Sequence, residues 1–308
     1  MKKLLLLFAL MLLLTACSEP VMTCALPSPM PADAEFPDPP IRPSLADFEQ
    51  AVRDAERGGA AAQLRLSRMY GFSETIVWEK WDEEQAETWI RKAAEQGYAE
   101  AQYQLGWLYD NDKIYSKDGY ATAFAWYRKA AEQGYAPAQY ELGQMYNYGR
   151  ESTARDKAQA IVWLNKAAEQ GDAKASLALV SIYSDPSPYD GDAAYRDDTQ
   201  AFLWMCKAAR QGNFGAQLVI GERYENPEGW PPGEKTVNVP QDQAQANLWY
   251  QAALATLHKA DEQGHEYARY QLGNLYARGG AGVPKDCEQA KAWWRKSGAS
   301  EAQIHECS

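Results

Sequence analysis

Histidine is scarce: three in 308 residues, at His258, His265 and His305. No Gly-x-Ser-x-Gly elbow, His-Glu-x-x-His pair or Gly-rich phosphate loop with its lysine occurs, so the commonest hydrolase, zinc-protease and nucleotide-hydrolysing chemistries lack their residues. Acidic residues abound, yet nothing in the pattern selects a carboxylate pair for acid–base work. The sequence therefore points away from an enzyme and calls for no cofactor. Positive charge is short too, with 31 Lys and Arg against 42 Asp and Glu, and Lys2 and Lys3 belong to a removable leader. Nucleic acid is excluded as a partner because phosphate binding rests on clustered cations. A basic protein partner fits better.

What is plentiful is apolar and aromatic surface. Hydrophobic residues make up 46% of the chain, with 11 Trp and 19 Tyr, enough buried area to offset the entropy of ordering. The length exceeds one ordinary compact core and suits two domains or one extended array.

Residues 1–16 read as a signal peptide: Lys2 and Lys3 precede an apolar stretch, Leu4 to Leu14, too short to span a bilayer comfortably. The run Leu14-Thr15-Ala16-Cys17 resembles the bacterial lipoprotein lipobox. That resemblance implies cleavage that leaves Cys17 as an acylated N-terminus carrying several acyl chains, and a membrane contact through the lipid anchor only. With Ser18 rather than Asp following, it implies a periplasmic protein on the inner leaflet of the outer membrane. Residues 17–43 then form a tether holding eight of the 16 prolines. Proline cannot join a hydrogen-bond ladder, so an extended spacer reaching up to roughly 80 Å is expected.

From 44 to 299 the chain repeats. Trp89, Trp126, Trp163, Trp204, Trp249 and Trp293 recur at intervals of 37, 37, 41, 45 and 44 residues. Four residues before five of them stands a glutamine, and three before each glutamine an aspartate: Asp82, Asp156, Asp197, Asp242 and Asp286. Asp-x-x-Gln reads as a helix N-cap with its N3 partner. Gly97, Gly134, Gly171 and Gly212, each after a Gln, suit the left-handed position that ends a helix. A preceding helix is read from Leu105-Gly106-Trp107-Leu108-Tyr109, Leu142-Gly143-Gln144-Met145-Tyr146 and Leu272-Gly273-Asn274-Leu275-Tyr276. Ala101, Ala138 and Ala268 fall four residues upstream on the same stripe, and the glycine admits a neighbouring helix. The tryptophans and tyrosines are expected to be core.

These marks, with Trp126-Tyr127-Arg128-Lys129-Ala130-Ala131-Glu132-Gln133-Gly134 and the Gly279–Asp286 turn, resemble the Sel1-like repeat family, relatives of tetratricopeptide repeats. The resemblance implies an all-α, right-handed solenoid of about six antiparallel helix pairs used for protein binding. The departures are Val180 in unit four, which lacks the glycine after Leu179, and a seven-residue insertion after Trp249, close to two helical turns.

Aromatics outside the repeat positions are the candidate partner-binding residues: Phe72, Trp78 and Trp81 before the Asp82 cap, and Trp230 in the long connection after Tyr224. Connections on one edge of a solenoid commonly carry its binding face, with tryptophan a favoured anchor; folding back as a lid is the alternative. Asp190 and Asp192, in an acidic loop, lack the order of a calcium cage and suit electrostatic steering of a basic partner, or a plain solvated loop. Cys287 and Cys307 are expected to pair and clip the last repeat against the 300–308 segment, worth about 3 kcal/mol by loop entropy. Zinc held by Cys287, His305 and Cys307 lacks a fourth ligand, so no metal site is assigned. Cys206 shares the register of Arg91, Arg128, Asn165, Gln251 and Arg295 and is expected to face solvent; whether it pairs with Cys24 stays open. Sel1-like lipoproteins of this layout resemble immunity proteins that neutralise phospholipase effectors delivered into the periplasm by type VI secretion. Such an effector is the expected partner, and an envelope scaffold organising cell-wall or secretion proteins is the alternative.

Overall fold

The computed structural model describes residues 22–26, 43–71, 81–111, 114, 118–149, 154–185, 195–227 and 239–299. Among these residues all regular structure is helical, apart from an isolated bridge between Gly280 and Val283. In chain order the helices are α1 Leu45–Glu56, α2 Ala60–Tyr70, α3 Glu83–Glu95, α4 Ala99–Asp110, α5 Gly119–Glu132, α6 Ala136–Tyr148 and α7 Lys157–Glu169. They continue as α8 Ala173–Ser184, α9 Asp198–Arg210, α10 Phe214–Glu225, α11 Gln243–Glu262, α12 Glu266–Arg278 and α13 Cys287–Lys296. The chain divides into two compact units: residues 33–185 with α1–α8, and residues 186–308 with α9–α13, joined by 1–32. The all-α solenoid of helix pairs expected from the sequence is the observed fold, with α1 as an additional leading helix.

Local chemistry sets the helix ends. Asp82, Asp156, Asp197, Asp242 and Asp286 all adopt extended backbone and accept from the N–H of Gln85, Gln159, Gln200, Gln245 and Gln289 respectively, satisfying donors the helix cannot. A reciprocal box, in which the N3 side chain returns to the cap's own N–H, forms at Ser44 and Asp47; Gln289 instead reaches the Asp286 carboxylate. At the other end Gly97, Gly134, Gly171 and Gly212 take φ of 88°, 90°, 101° and 89°, a region costly for any side chain.

Pairing in four of the repeats is a plug and a notch. A methyl group on Gly106 would meet the Tyr127 ring at 2.9 Å, one on Gly143 would meet Leu164 Cγ at 2.7 Å, and one on Gly221 the Tyr250 ring at 3.1 Å. Trp294 fills the notch at Gly273. At the first repeat Ser67 takes the glycine's place and its hydroxyl donates to Ala86 O at 2.7 Å. The plug is thus the residue after the recurring tryptophan. Tyr127, Leu164 and Tyr250 are buried, whereas Trp89, Trp126, Trp163, Trp204 and Trp293 are only half-buried, correcting the expectation that the tryptophans themselves form the core. They lie at the edge of the apolar stripe, each under the ammonium of the lysine three residues on. Lys92, Lys129, Lys166, Lys207 and Lys296 stand 4.0, 4.0, 3.9, 4.7 and 4.6 Å from the ring centres, a favourable cation–π geometry.

Successive repeats are joined by glutamines. Buried Gln63, Gln102 and Gln139 donate to the carbonyls of Ala55, Ala94 and Ala131 in the last turn of the preceding helix. Each then accepts from Gln96, Gln133 or Gln170 of the helix that follows, at 2.7 Å. Gln217 continues the pattern, donating to Ala209 O and accepting from Thr256. Each amide so satisfies a last-turn carbonyl that the helix leaves without a partner.

Candidate functional site

In the unit formed by α1–α8, helices α2 and α4 open a pocket of about 270 Å³ lined by Arg68, Gly71, Ile90, Tyr103, Gln104 and Trp107, among others. Arg68 is fixed there by Glu100 at 2.5 Å and by Gln104 at 3.2 Å. Trp107 is 38% exposed and Trp81 57%. Trp81 stands against Gly71, where a methyl group would come within 3.3 Å of its indole nitrogen. One rim of the pocket therefore presents two solvent-facing indoles, the side chains most often found as anchors in protein interfaces.

Tyr103 links this pocket to a polar recess. Its ring lies 5.7 Å from that of Tyr127 and 5.4 Å from that of Tyr135, and burial holds the hydroxyl acids of Tyr103 and Tyr140 up at about 12. The buried Tyr127 hydroxyl and Gln144 Oε1 have no hydrogen-bond partner among the described residues. Burial, reinforced by the nearby Asp110 and Asp172 charges and opposed by Lys174, raises Glu141 to about 7. The tyrosine hydroxyls of this recess donate as well as accept, and the Gln144 amide donates to Tyr140 Oη.

Of the residues nominated from sequence, the structure places Trp81 at this rim. Phe72, Trp78, Asp190, Asp192 and Trp230 lie outside the described residues, as do Cys17 and Cys307. Cys287 opens α13. Among the described residues no group of three His, Cys, Asp or Glu could hold a metal ion, and no helix is long and apolar enough to cross a membrane. Sequence reasoning missed Trp107, Glu141 and Tyr103 as surface residues. Trp107 sits inside the core motif Leu105–Tyr109, and its one distinguishing sign is that the equivalent positions hold the polar Gln144 and Asn274.

The expectation that Cys206 faces solvent is overturned. Cys206 is 3% exposed and Cys24 fully buried, because residues 22–26 of the proline-rich segment lie extended across α9, α10 and α11. The Cys24 N–H donates to Tyr224 Oη at 2.5 Å, Trp249 Nε1 donates to Cys24 O at 3.0 Å, and Arg210 Nε donates to Ala25 O at 3.0 Å. Both cysteines are free thiols.

A family profile for the Sel1 repeat matches residues 60–98, 99–135, 136–172, 189–213, 233–255 and 266–300. Among solved structures the chain is similar to a Sel1 repeat protein from Oxalobacter formigenes, with 28% identity, a TM-score of 0.59, and 84% of this chain and 94% of that one covered. It is also similar to a protective antigen present in uropathogenic Escherichia coli strains and displaying an SLR fold. The identity there is 30% and the TM-score 0.50 over 82% of this chain, which spans 64% of the length of that protein. An immunity protein from Pseudomonas aeruginosa shares 22% identity at a TM-score of 0.45, with 76% and 88% of the two chains covered. No curated protein matches the chain.

Proposed function

The chain belongs to the Sel1 repeat family, whose members are protein-interaction scaffolds, and from that premise we propose that it captures one protein partner on the Trp81–Trp107 rim and the Tyr127–Glu141 recess. The observation that carries this reading is the exposure of two indoles, Trp81 and Trp107, beside the pocket in which Glu100 fixes Arg68. The anchors offer apolar area, and the acidic balance of the chain favours a basic partner. Binding is the activity proposed, in keeping with the Sel1 repeat family, whose members are generally non-enzymatic scaffolds.

More specifically, the protein is an immunity lipoprotein, anchored through Cys17 in the periplasm, that blocks a phospholipase effector delivered there. Support comes from the secretory leader, the lipobox-like Cys17, the acidic balance and the binding scaffold taken together. A preformed recess with a negative field suits fast capture of a toxin before it reaches lipid. The test is co-expression with a periplasm-targeted lipase encoded beside the gene. Protection by the wild-type chain, reduced at least tenfold in plating efficiency by Trp81→Ala with Trp107→Ala, is expected. Full protection by that double variant would move the binding face elsewhere, and absence of protection by the wild type would remove the immunity role while leaving a binding scaffold.

A further inference from the structure

The recurring tryptophans obey one rule with one exception. Five carry a lysine three residues on, and Trp249 carries Ala252. Trp249 is also the one of the six that is fully buried, and what covers it is the chain's own segment 22–26. A lysine at 252 would bring a charge over the ring that Cys24 now occupies. The cleft is built for this occupant in other respects. Side chains from three helices, Arg210, Tyr224 and Trp249, engage the backbone N–H of Cys24 and the carbonyls of Cys24 and Ala25. Thr23 and Ala25 face outward while the Cys24 side chain alone is buried. There it meets Cys206, the two thiols sharing a hydrogen bond. Burial raises the Cys206 thiol above its ordinary acidity range, so neither sulfur is exposed to a reagent while the segment is seated.

We infer that this cleft is a docking site for residues 22–26 in cis and that Cys24 and Cys206 are the two halves of a disulfide that locks the segment there. The oxidant is a disulfide donor, either a small-molecule disulfide or a thiol–disulfide oxidoreductase. With the segment off the cleft, the Cys24 thiolate attacks the donor's S–S bond, forming a mixed disulfide and releasing one donor thiolate. Reseating brings the mixed disulfide against Cys206, whose thiolate displaces the second donor thiolate and forms the Cys24–Cys206 bond. Two electrons pass from the cysteine pair to the donor, and the two protons released from the cysteines end on the two donor thiols. The backbone clamp drives this closure, because seating raises the effective concentration of one sulfur at the other.

The experiment uses the full chain purified in reducing buffer, then equilibrated with glutathione disulfide, alkylated, digested and mapped without reduction. The expected result is one linked peptide pair containing Cys24 and Cys206, lost on adding reductant and absent from Cys24→Ser and from Cys206→Ser. Recovery of both cysteines as alkylated monomers after oxidation, or of either joined to another cysteine, would overturn the assignment. Trp249→Phe keeps an aromatic ring of smaller size and removes the donor to Cys24 O; the oxidised fraction at a fixed glutathione ratio is expected to fall several-fold while the helical signal is unchanged. Because Trp249→Phe also trims the ring, Arg210→Gln, at an exposed position, serves as the second variant with the same expectation. If neither variant lowers the oxidised fraction, the backbone clamp does not present Cys24 and the docking site is wrong. Cys24→Ser lies on the segment rather than in a helix, so its outcome reads independently of folding.

Discussion

Adding one methyl group at Gly143 sets two effects of opposite sign against each other. Alanine in a helix interior is favoured over glycine by about 1 kcal/mol, mostly through the unfolded chain's entropy. Against this, the new carbon would sit 2.7 Å from Leu164 Cγ, 2.9 Å from its Cδ2 and 3.3 Å from its backbone nitrogen. Carbon atoms rest at about 3.5–4.0 Å, so Leu164 must retreat by roughly 1 Å. The leucine is fully buried, and the close backbone nitrogen means a rotamer change alone does not relieve the contact. Overpacking of this kind costs about 1–3 kcal/mol, so Gly143→Ala is expected to destabilise by about 1–2 kcal/mol net. The effect should be local, since repeats are coupled chiefly to their neighbours. Hydrogen exchange, read alongside urea unfolding, should show lost protection in α6 and α7 first. In a Leu164→Ala background the two closest contacts are gone and only the backbone nitrogen at 3.3 Å remains, so the same change should become neutral or stabilising, a reversal of sign that measures the coupling directly. Stabilisation by Gly143→Ala in the wild-type background would refute the notch-and-plug account of repeat pairing. So would a larger loss from Gly221→Ala, where the nearest atom is 3.1 Å away.

Three further outcomes follow from the same geometry. Gln139→Leu should cost about 2 kcal/mol, because it strands Ala131 O and the Gln170 amide, whereas Gln170→Ala at the exposed end of the pair should cost under about 1 kcal/mol in the same denaturation assay. Glu141 is raised to about 7 in the fold, so the native state holds its proton more tightly than the unfolded chain. Its contribution is therefore full at pH 4.5 and lost as pH rises through 7, by about 2 kcal/mol after allowance for partial exposure. Melting temperature followed from pH 5 to 8 should fall less in Glu141→Gln than in the wild type, and an identical slope would show that this carboxyl is not buried as described. Lys129→Met, which keeps the stem over Trp126 and removes the ammonium held 4.0 Å from the ring, should lose about 0.5–1 kcal/mol, and no loss would mean the lysine serves only to cover apolar surface.

What could be read from sequence was what short-range chemistry decides. An aspartate cap and a left-handed glycine each act within a few residues, so Asp156 or Gly134 declares its role wherever it stands, and the helix boundaries came out accordingly. The plug was harder. Trp126 and Tyr127 are adjacent on a helix, about 100° apart, and both fall within a broad apolar stripe; periodicity alone cannot say which enters the notch and which lies at the rim under Lys129. The glutamine ladder was visible only as an unexplained habit, Gln96, Gln133 and Gln170 each preceding a glycine. Its other half is Gln63, Gln102 and Gln139, roughly 31–33 residues upstream, and no local rule connects them. Of the binding face, Trp81 was legible because it breaks the repeat, while Trp107 hid within it. Cys206 was misplaced because the segment covering it comes from near position 24, a distance along the chain that helical register does not register at all.

The docked segment also changes what the proline-rich stretch does. As a free spacer from Cys17 to Pro43 it would let the solenoid range far from the bilayer. With Cys24 held between Tyr224, Trp249 and Cys206, only six residues separate the proposed lipid anchor at Cys17 from a fixed point on the unit of α9–α13. Fully extended, the seven residue steps span at most about 25 Å. The prolines beyond Leu26 come after the clamp in sequence, so they do not add to the length between Cys17 and Cys24. The Cys24–Cys206 bond decides between these two regimes. Reduced, the clamp is three hydrogen bonds and one buried thiol, which thermal motion can release to give the long tether. Oxidised, the short one is permanent. Under the proposed immunity role with an anchor at Cys17, the second state is the favourable one, since confinement within about 25 Å of the lipid surface would raise the local concentration of the protein there.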